Sequence, residues 1–443
     1  MTEPVSTTST NFDLAPPPAT VDGLLAAPID IQHIQARLVF DAAGSSGAGE
    51  ATVNFVTGDH EGNPIFDLRQ QVTAAALDGS PIAVSKLAHH DFGGGPHAEL
   101  RILESVLPAR SRHTLQVAYR LGPPAASPAG SYPPAIIWSA GPRLAFNFGF
   151  TDLGAGRYLE SWIPANLIFD QFSLDLDLRL MGTAIRHIPI TNGTVTEVTP
   201  NRWRITFPAH FTALSPLLEL RAQDTLESSV DTVSLPVSGR QVTIEAWKLS
   251  ENSVALPDRI AELKGWLIAN ELSSGPYRHG SRFTAFLHRG GMEYEGGTTT
   301  SVAALRHETF HSWFARGLKP ASQPDAWWDE AWTVYNDDGA NGSTPFDFSD
   351  PPVTLRPQNP WVRITAPEAY EKGSRFFEGV AAAIGAAELR THMRNLYIER
   401  SERPITTTDL EEFLVTRSGC PDLGAAFHRF VHGFSDPLPT PER

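Results

Sequence analysis

The pentapeptide His307-Glu308-Thr309-Phe310-His311, with Glu330 following after eighteen intervening residues, constrains this chain more than any other feature. On a helix, positions i and i+4 share a face, so His307 and His311 can offer two imidazole nitrogens to one ion. Glu308, one step round that helix, lies beside the ion without having to bind it. Two histidines and a distant carboxylate form a three-ligand set with one coordination place open, the pattern of a catalytic rather than a structural zinc. The carboxylate arrives in the run Trp327-Trp328-Asp329-Glu330-Ala331-Trp332.

The chemistry follows from the ion. Zinc lowers the pKa of bound water towards ~7 and polarises a carbonyl. Glu308 is then placed to take the proton and hand it to a departing amine, first as general base and then as general acid. Asp337, seven residues after Glu330 and two helical turns on, is expected to hydrogen-bond a ligand imidazole, the alternative being an ordinary helix-end acid beside Asp338. Trp313, Trp327, Trp328 and Trp332 surround these segments, and we read them as core packing in preference to a substrate pocket.

A length of 443 residues exceeds one ordinary core and calls for two domains or more. With 35 basic against 50 acidic side chains the formal net charge is -15, which argues against nucleic-acid and anionic-membrane partners. Cys420 is the single cysteine, so no intrachain disulfide and no thiolate metal cluster can form. No apolar run is long enough to span a bilayer, and Met1 to Ala19 lacks the basic-then-apolar order of a signal peptide. The expected location is therefore cytoplasmic.

Residues 1–28 read as a flexible tail. From Ile29 the pattern alternates with period two, through Ile31–Phe40, Ala51–Val56, Leu115–Tyr119, Phe172–Leu180 and Arg202–Phe207. Residues 29–225 are thus expected to be an all-β domain, with Gly122–Ala135 a loop inside it. Helical periodicity takes over in residues 226–443. A strand at Val242–Lys248 leads into a helix from Pro257 to Leu267, and another strand at Arg282–His288 follows. The metal helix is expected to start near Thr299 or Thr300. Thr406-Thr407-Thr408-Asp409 reads as the capped start of a late helix. The fold class is α+β multidomain.

Several ordered segments resemble the zinc gluzincin aminopeptidases of the aminopeptidase N type. His307 through Phe314 and Asp329 through Tyr335 resemble that family's active-site helices; Gly290-Gly291-Met292-Glu293-Tyr294 resembles its exopeptidase motif. Tyr370-Glu371-Lys372-Gly373 resembles the segment that carries its catalytic tyrosine. Gly275-Pro276-Tyr277 and Thr407-Thr408-Asp409-Leu410 are weaker matches. Phe310 and Leu318-Lys319-Pro320 also resemble the related glycyl-aminopeptidase family, and the two are not separated. The resemblance implies an N-terminal β saddle, a thermolysin-like catalytic domain, one zinc ion and a peptide substrate with a free N-terminus.

Carried over by position, the resemblance makes Glu293 the group that grips the substrate's α-ammonium, a charge-assisted hydrogen bond that enforces cleavage one residue from the end. Gly290, Gly291 and Met292 would let the peptide approach the backbone closely. Tyr370 would donate its hydroxyl to a developing oxyanion. The chain departs from the pattern at Tyr294, which replaces Asn, and at Ala315-Arg316, which replaces Gly-Asn. Little chain remains for the family's large C-terminal helical domain. Asp152 and Glu160 are the candidates for a second amine-binding group. An endopeptidase and a non-catalytic zinc-containing scaffold are the alternatives to an aminopeptidase; intact Glu308 and Tyr370 speak against the scaffold.

Overall fold

The computed structural model describes residues 12–123, 136–149, 151, 154–337 and 345–435. Of the expected loop Gly122–Ala135, all but Gly122 and Pro123 lies outside these residues, as do Asp152 and Asp338.

The first half is built of strands. Long alternating segments form an eight-stranded sheet around Ile29–Asp41, Ser46–Thr57, Arg112–Leu121 and Ser173–Met181. In Ser173–Met181 the even-numbered Leu174, Leu176, Leu178 and Leu180 are buried, whereas Asp175, Asp177 and Arg179 lie on the other face. That alternation is what period two on a half-covered sheet requires. Ile29–Asp41 pairs antiparallel with Ser46–Thr57 on one side and parallel with Ser173–Met181 on the other. A five-stranded and a four-stranded sheet complete this half.

Within the expected tail, residues 12–27 are structured. Ala19–Val21 and Leu24–Ala27 form a hairpin whose second strand pairs with Asn63–Phe66. Ala19, Val21 and Leu24 pack on Ala26, Ile65, Leu100 and Trp361, and this burial holds a segment that was expected to be tail.

The second half opens on a mixed five-stranded sheet in the order Leu226–Ser234, Gln241–Leu249, Arg282–Leu287, Gly297–Thr300, Gly291–Tyr294. Gly291–Tyr294 is therefore an edge strand. Helix α1 (Leu256–Ser274) starts with Pro257 in its first turn, where the missing N–H has no helical partner to lose. Helices α2 (Leu305–Phe310) and α3 (Trp327–Asp337) carry the metal motif, and α4 (Ser374–Ile384), α5 (Ala386–Arg400), α6 (Thr407–Ser418) and α7 (Pro421–Phe430) pack behind them. No helix among the described residues is long and apolar enough to cross a membrane.

The metal helix starts later than expected. Thr298, Thr299 and Thr300 are β-branched and sit in a strand between two partners, and α2 begins only at Leu305. A small apolar cluster joins the halves: Tyr158, Ile168, Ile190, Leu214 and Leu217 from the first pack with Phe286, Met292 and Tyr294 from the second.

Candidate active site

Helix α2 is barely more than one turn past its start, yet it is long enough to do its work. His311 caps it, and its N–H reaches the His307 carbonyl, so the i, i+4 relation of the two imidazoles is preserved. Helix α3 lies alongside and presents Glu330, Thr333 and Asp337 at spacings of three and seven residues, which is one helix face.

The donor atoms converge. His307 Nε2 lies 3.0 Å from His311 Nε2 and 3.1 Å from Glu330 Oε2. His311 Nε2 lies 3.4 Å from the same carboxylate oxygen. Each histidine's other nitrogen is engaged: Nδ1 of His307 with Asp337 Oδ2 at 2.6 Å, and Nδ1 of His311 with the Phe314 carbonyl at 3.0 Å and Thr333 Oγ1 at 3.2 Å. A neutral imidazole that donates from Nδ1 has its lone pair on Nε2. Both lone pairs and the Glu330 carboxylate thus face one point, and the donor set fits a divalent zinc.

The charges in the site respond to this crowding. Burial opposes protonation of His307 and His311, but Asp337 and Glu330 hold His307 well above the ordinary imidazole value, and Glu330 raises His311 to about 10. For Glu330 burial works against ionisation too, yet the two histidines hold its carboxyl below the usual range. The surroundings therefore favour a positive charge at the point where the three groups meet.

Glu308 is buried beside this point, with Oε2 lacking a hydrogen bond. Burial pushes its carboxyl up to about 8, and Glu293 and Glu330 add to the rise. A Cβ on Gly291 would sit 2.0 Å from Glu308 Oε1, so a residue with a side chain there would displace the carboxylate. Gly291 is thus required by Glu308 as well as by any close approach of a peptide.

Tyr370 lies in a single turn of π-helix, Ala369–Gly373, that runs into α4. Its hydroxyl donates to Glu330 Oε1 at 2.8 Å, and its ring stacks parallel to His307 with centroids 6.5 Å apart. Gly373 lets this turn reach α3, since a Cβ there would lie 2.5 Å from that of Ala331. Trp313, Trp327, Trp328 and Trp332 are all buried and pack in the core of the second half. They clamp the helices.

Glu293 is brought to the site as well, but in company. Its carboxylate lies near Glu308 and His311, and Arg316 donates to its Oε1 at 2.7 Å. Met292 and Tyr294 face the first half, where the Tyr294 hydroxyl donates to the Gly149 carbonyl. Gly290 ends the turn before the edge strand with a φ of 72°. Glu160 is fully buried against Arg363 and Asp67, with burial pushing it up to about 7, and it makes no hydrogen bond from either carboxylate oxygen. Thr333 and Arg316 were missed by sequence reasoning. The three-residue step from Glu330 to Thr333 was a usable signal; Arg316 was marked only as a departure from the family pattern, with no role assigned.

Solved structures match this architecture along nearly its whole length. The M1 zinc metallopeptidase from Deinococcus radiodurans matches with a TM-score of 0.67 at 18% identity, covering 94% of this chain and 96% of that one. The chain shares the fold of the M1 zinc metallopeptidases. Legionella pneumophila aminopeptidase A matches at 12% identity and a TM-score of 0.65, covering 91% of this chain and 50% of its own. Native yeast LTA4 hydrolase matches at 15% identity and a TM-score of 0.61, with coverages of 94% and 69%. No family model and no curated protein matches the sequence.

Proposed function

We propose that this chain is a zinc-dependent aminopeptidase that hydrolyses N-terminal residues from peptides. One observation carries the reading: the free nitrogens of His307 and His311 and the Glu330 carboxylate meet at one point, with Glu308 beside them and not among them. A zinc ion held there supplies an electrophile that polarises a carbonyl and acidifies water. Glu308, buried and short of a hydrogen bond, takes up a proton and later returns it to the leaving amine. Tyr370, whose hydroxyl now rests on Glu330, is within the site to donate to an oxyanion. Glu293 offers the α-ammonium a carboxylate at the sheet edge. In this reading the eight-stranded sheet belongs to the saddle of residues 29–225, and residues 226–443 form the thermolysin-like domain.

The Deinococcus radiodurans protein of the same fold binds a Tyr-Ser-Ala substrate, which supports a peptide here. The test is hydrolysis of a panel of aminoacyl-coumarin reporters, their N-acetylated twins and internal peptides, with metal content measured in parallel. Free-amine reporters are expected to turn over, to lose turnover on chelation and to regain it with zinc. Absence of turnover on every substrate by the zinc-loaded protein overturns the reading, and preference for internal peptides makes the enzyme an endopeptidase.

A further inference from the structure

The departure at Ala315-Arg316 places a guanidinium directly under the exopeptidase-like strand. Arg316 Nη2 donates to Glu293 Oε1 at 2.7 Å and its Nε donates to the Glu293 main-chain carbonyl at 3.2 Å. One planar fork thus fixes both the side chain and the backbone of a single residue. Both side chains are almost wholly buried, at 3% and 5% exposure, so the pair is neither screened by solvent nor free to swing. Among the described residues Glu293 Oε2 accepts no hydrogen bond, which leaves one oxygen of a fixed carboxylate for a ligand beside Glu308 and His311.

The turn that delivers Arg316 is itself held against its preference. Ala315 has a φ of 128°, in the region that favours glycine, and it stays there because the turn is bonded on each side. Its N–H reaches the Leu318 carbonyl, that of Arg316 reaches His311, and that of Leu318 reaches Trp313. The same turn therefore starts at a metal-binding histidine and ends under Glu293.

We infer that Arg316 is the positioning residue for recognition of the substrate's free amine: it locks Glu293 so that one carboxylate oxygen meets the α-ammonium. This rests on the aminopeptidase reading. A lysine in its place keeps the charge but cannot grip side chain and backbone together. The test is calorimetric binding of Tyr-Ser-Ala and N-acetyl-Tyr-Ser-Ala to zinc-loaded Glu308→Gln protein, with and without Arg316→Lys. The single variant is expected to prefer the free tripeptide. Adding Arg316→Lys is expected to shrink that preference by about 10- to 100-fold, leaving zinc content and affinity for the acetylated peptide unchanged. An unchanged preference overturns the inference, as does equal weakening of both peptides or no preference at the outset. Should Arg316→Lys fail to fold, Arg316→Gln, which keeps one donor but loses the charge and the fork, takes its place; the preference is expected to fall, and an unchanged one overturns the inference. Reporter turnover by the unsubstituted enzyme decides the aminopeptidase reading separately.

Discussion

In the proposed reaction Glu308 and Tyr370 act through single atoms, and single-atom changes isolate them. Replacing Glu308 by Gln removes the proton acceptor while keeping the shape that fills the space next to Gly291. Turnover should fall by about 10²- to 10⁴-fold with zinc stoichiometry unchanged, as read from kcat and metal analysis. Tyr370→Phe keeps the ring that stacks on His307 and removes only the hydroxyl on Glu330. A loss of about 10²- to 10³-fold in kcat with KM nearly constant is the expected outcome, and an unchanged kcat removes Tyr370 from oxyanion stabilisation. Glu308 was named in the sequence by residue type and short spacing, and Tyr370 only by the resemblance of its segment to a family motif. The role of Arg316 was not legible, because it acts on a partner that only the packing of other segments brings near.

The elements show where periodicity speaks and where it fails. Helix α3 was legible because Glu330 and Asp337 lie on one face at helical spacing, and the structure adds Thr333 to that face. The start of α2 was placed too early, near Thr299 or Thr300. Their pairing in a strand decided the matter. The late capped helix was read correctly in mechanism: the Thr406 hydroxyl accepts from Asp409 N–H at 3.1 Å, and the Asp409 carboxylate accepts from Thr406 N–H at 2.8 Å. Thr406→Ala is expected to lower stability by about 1 kcal/mol, seen as a reduced denaturation midpoint at unchanged slope. Activity of the folded protein should not change, since α6 supplies no group to the site.

Across the whole molecule, charges buried between strands and loops tie stability to pH. Glu219 is fully buried in the four-stranded sheet, next to Arg221 at 2.8 Å and close to Tyr294. Burial outweighs the attraction of Arg221 and pushes the carboxyl from 4.5 up to about 7. The fold therefore favours its neutral form. That contribution to stability is fully present below the ordinary value and is lost as the pH rises through about 7. Glu219→Gln should flatten the fall in melting temperature between about pH 5 and pH 8. An identical pH slope in the variant removes Glu219 as its source. The two halves are also joined by charge, since Arg363 from the segment leading to Tyr370 pairs with Asp67 and faces Glu160 in the first half.

The sequence alone determined the candidate metal donors, their helical presentation and the division into a strand-rich and a helix-rich half. Those properties follow from local periodicity, which the backbone repeats of 3.6 and 2 residues impose wherever the chain goes. Tertiary structure alone decided which groups complete the other side chains: Glu330 under Tyr370 and Arg316 on Glu293. It also ordered residues 12–27 and packed Tyr294 against the first half. Such partners lie tens to hundreds of residues apart, and their meeting depends on how sheets and helices dock, a matter of summed burial that no short window of sequence contains.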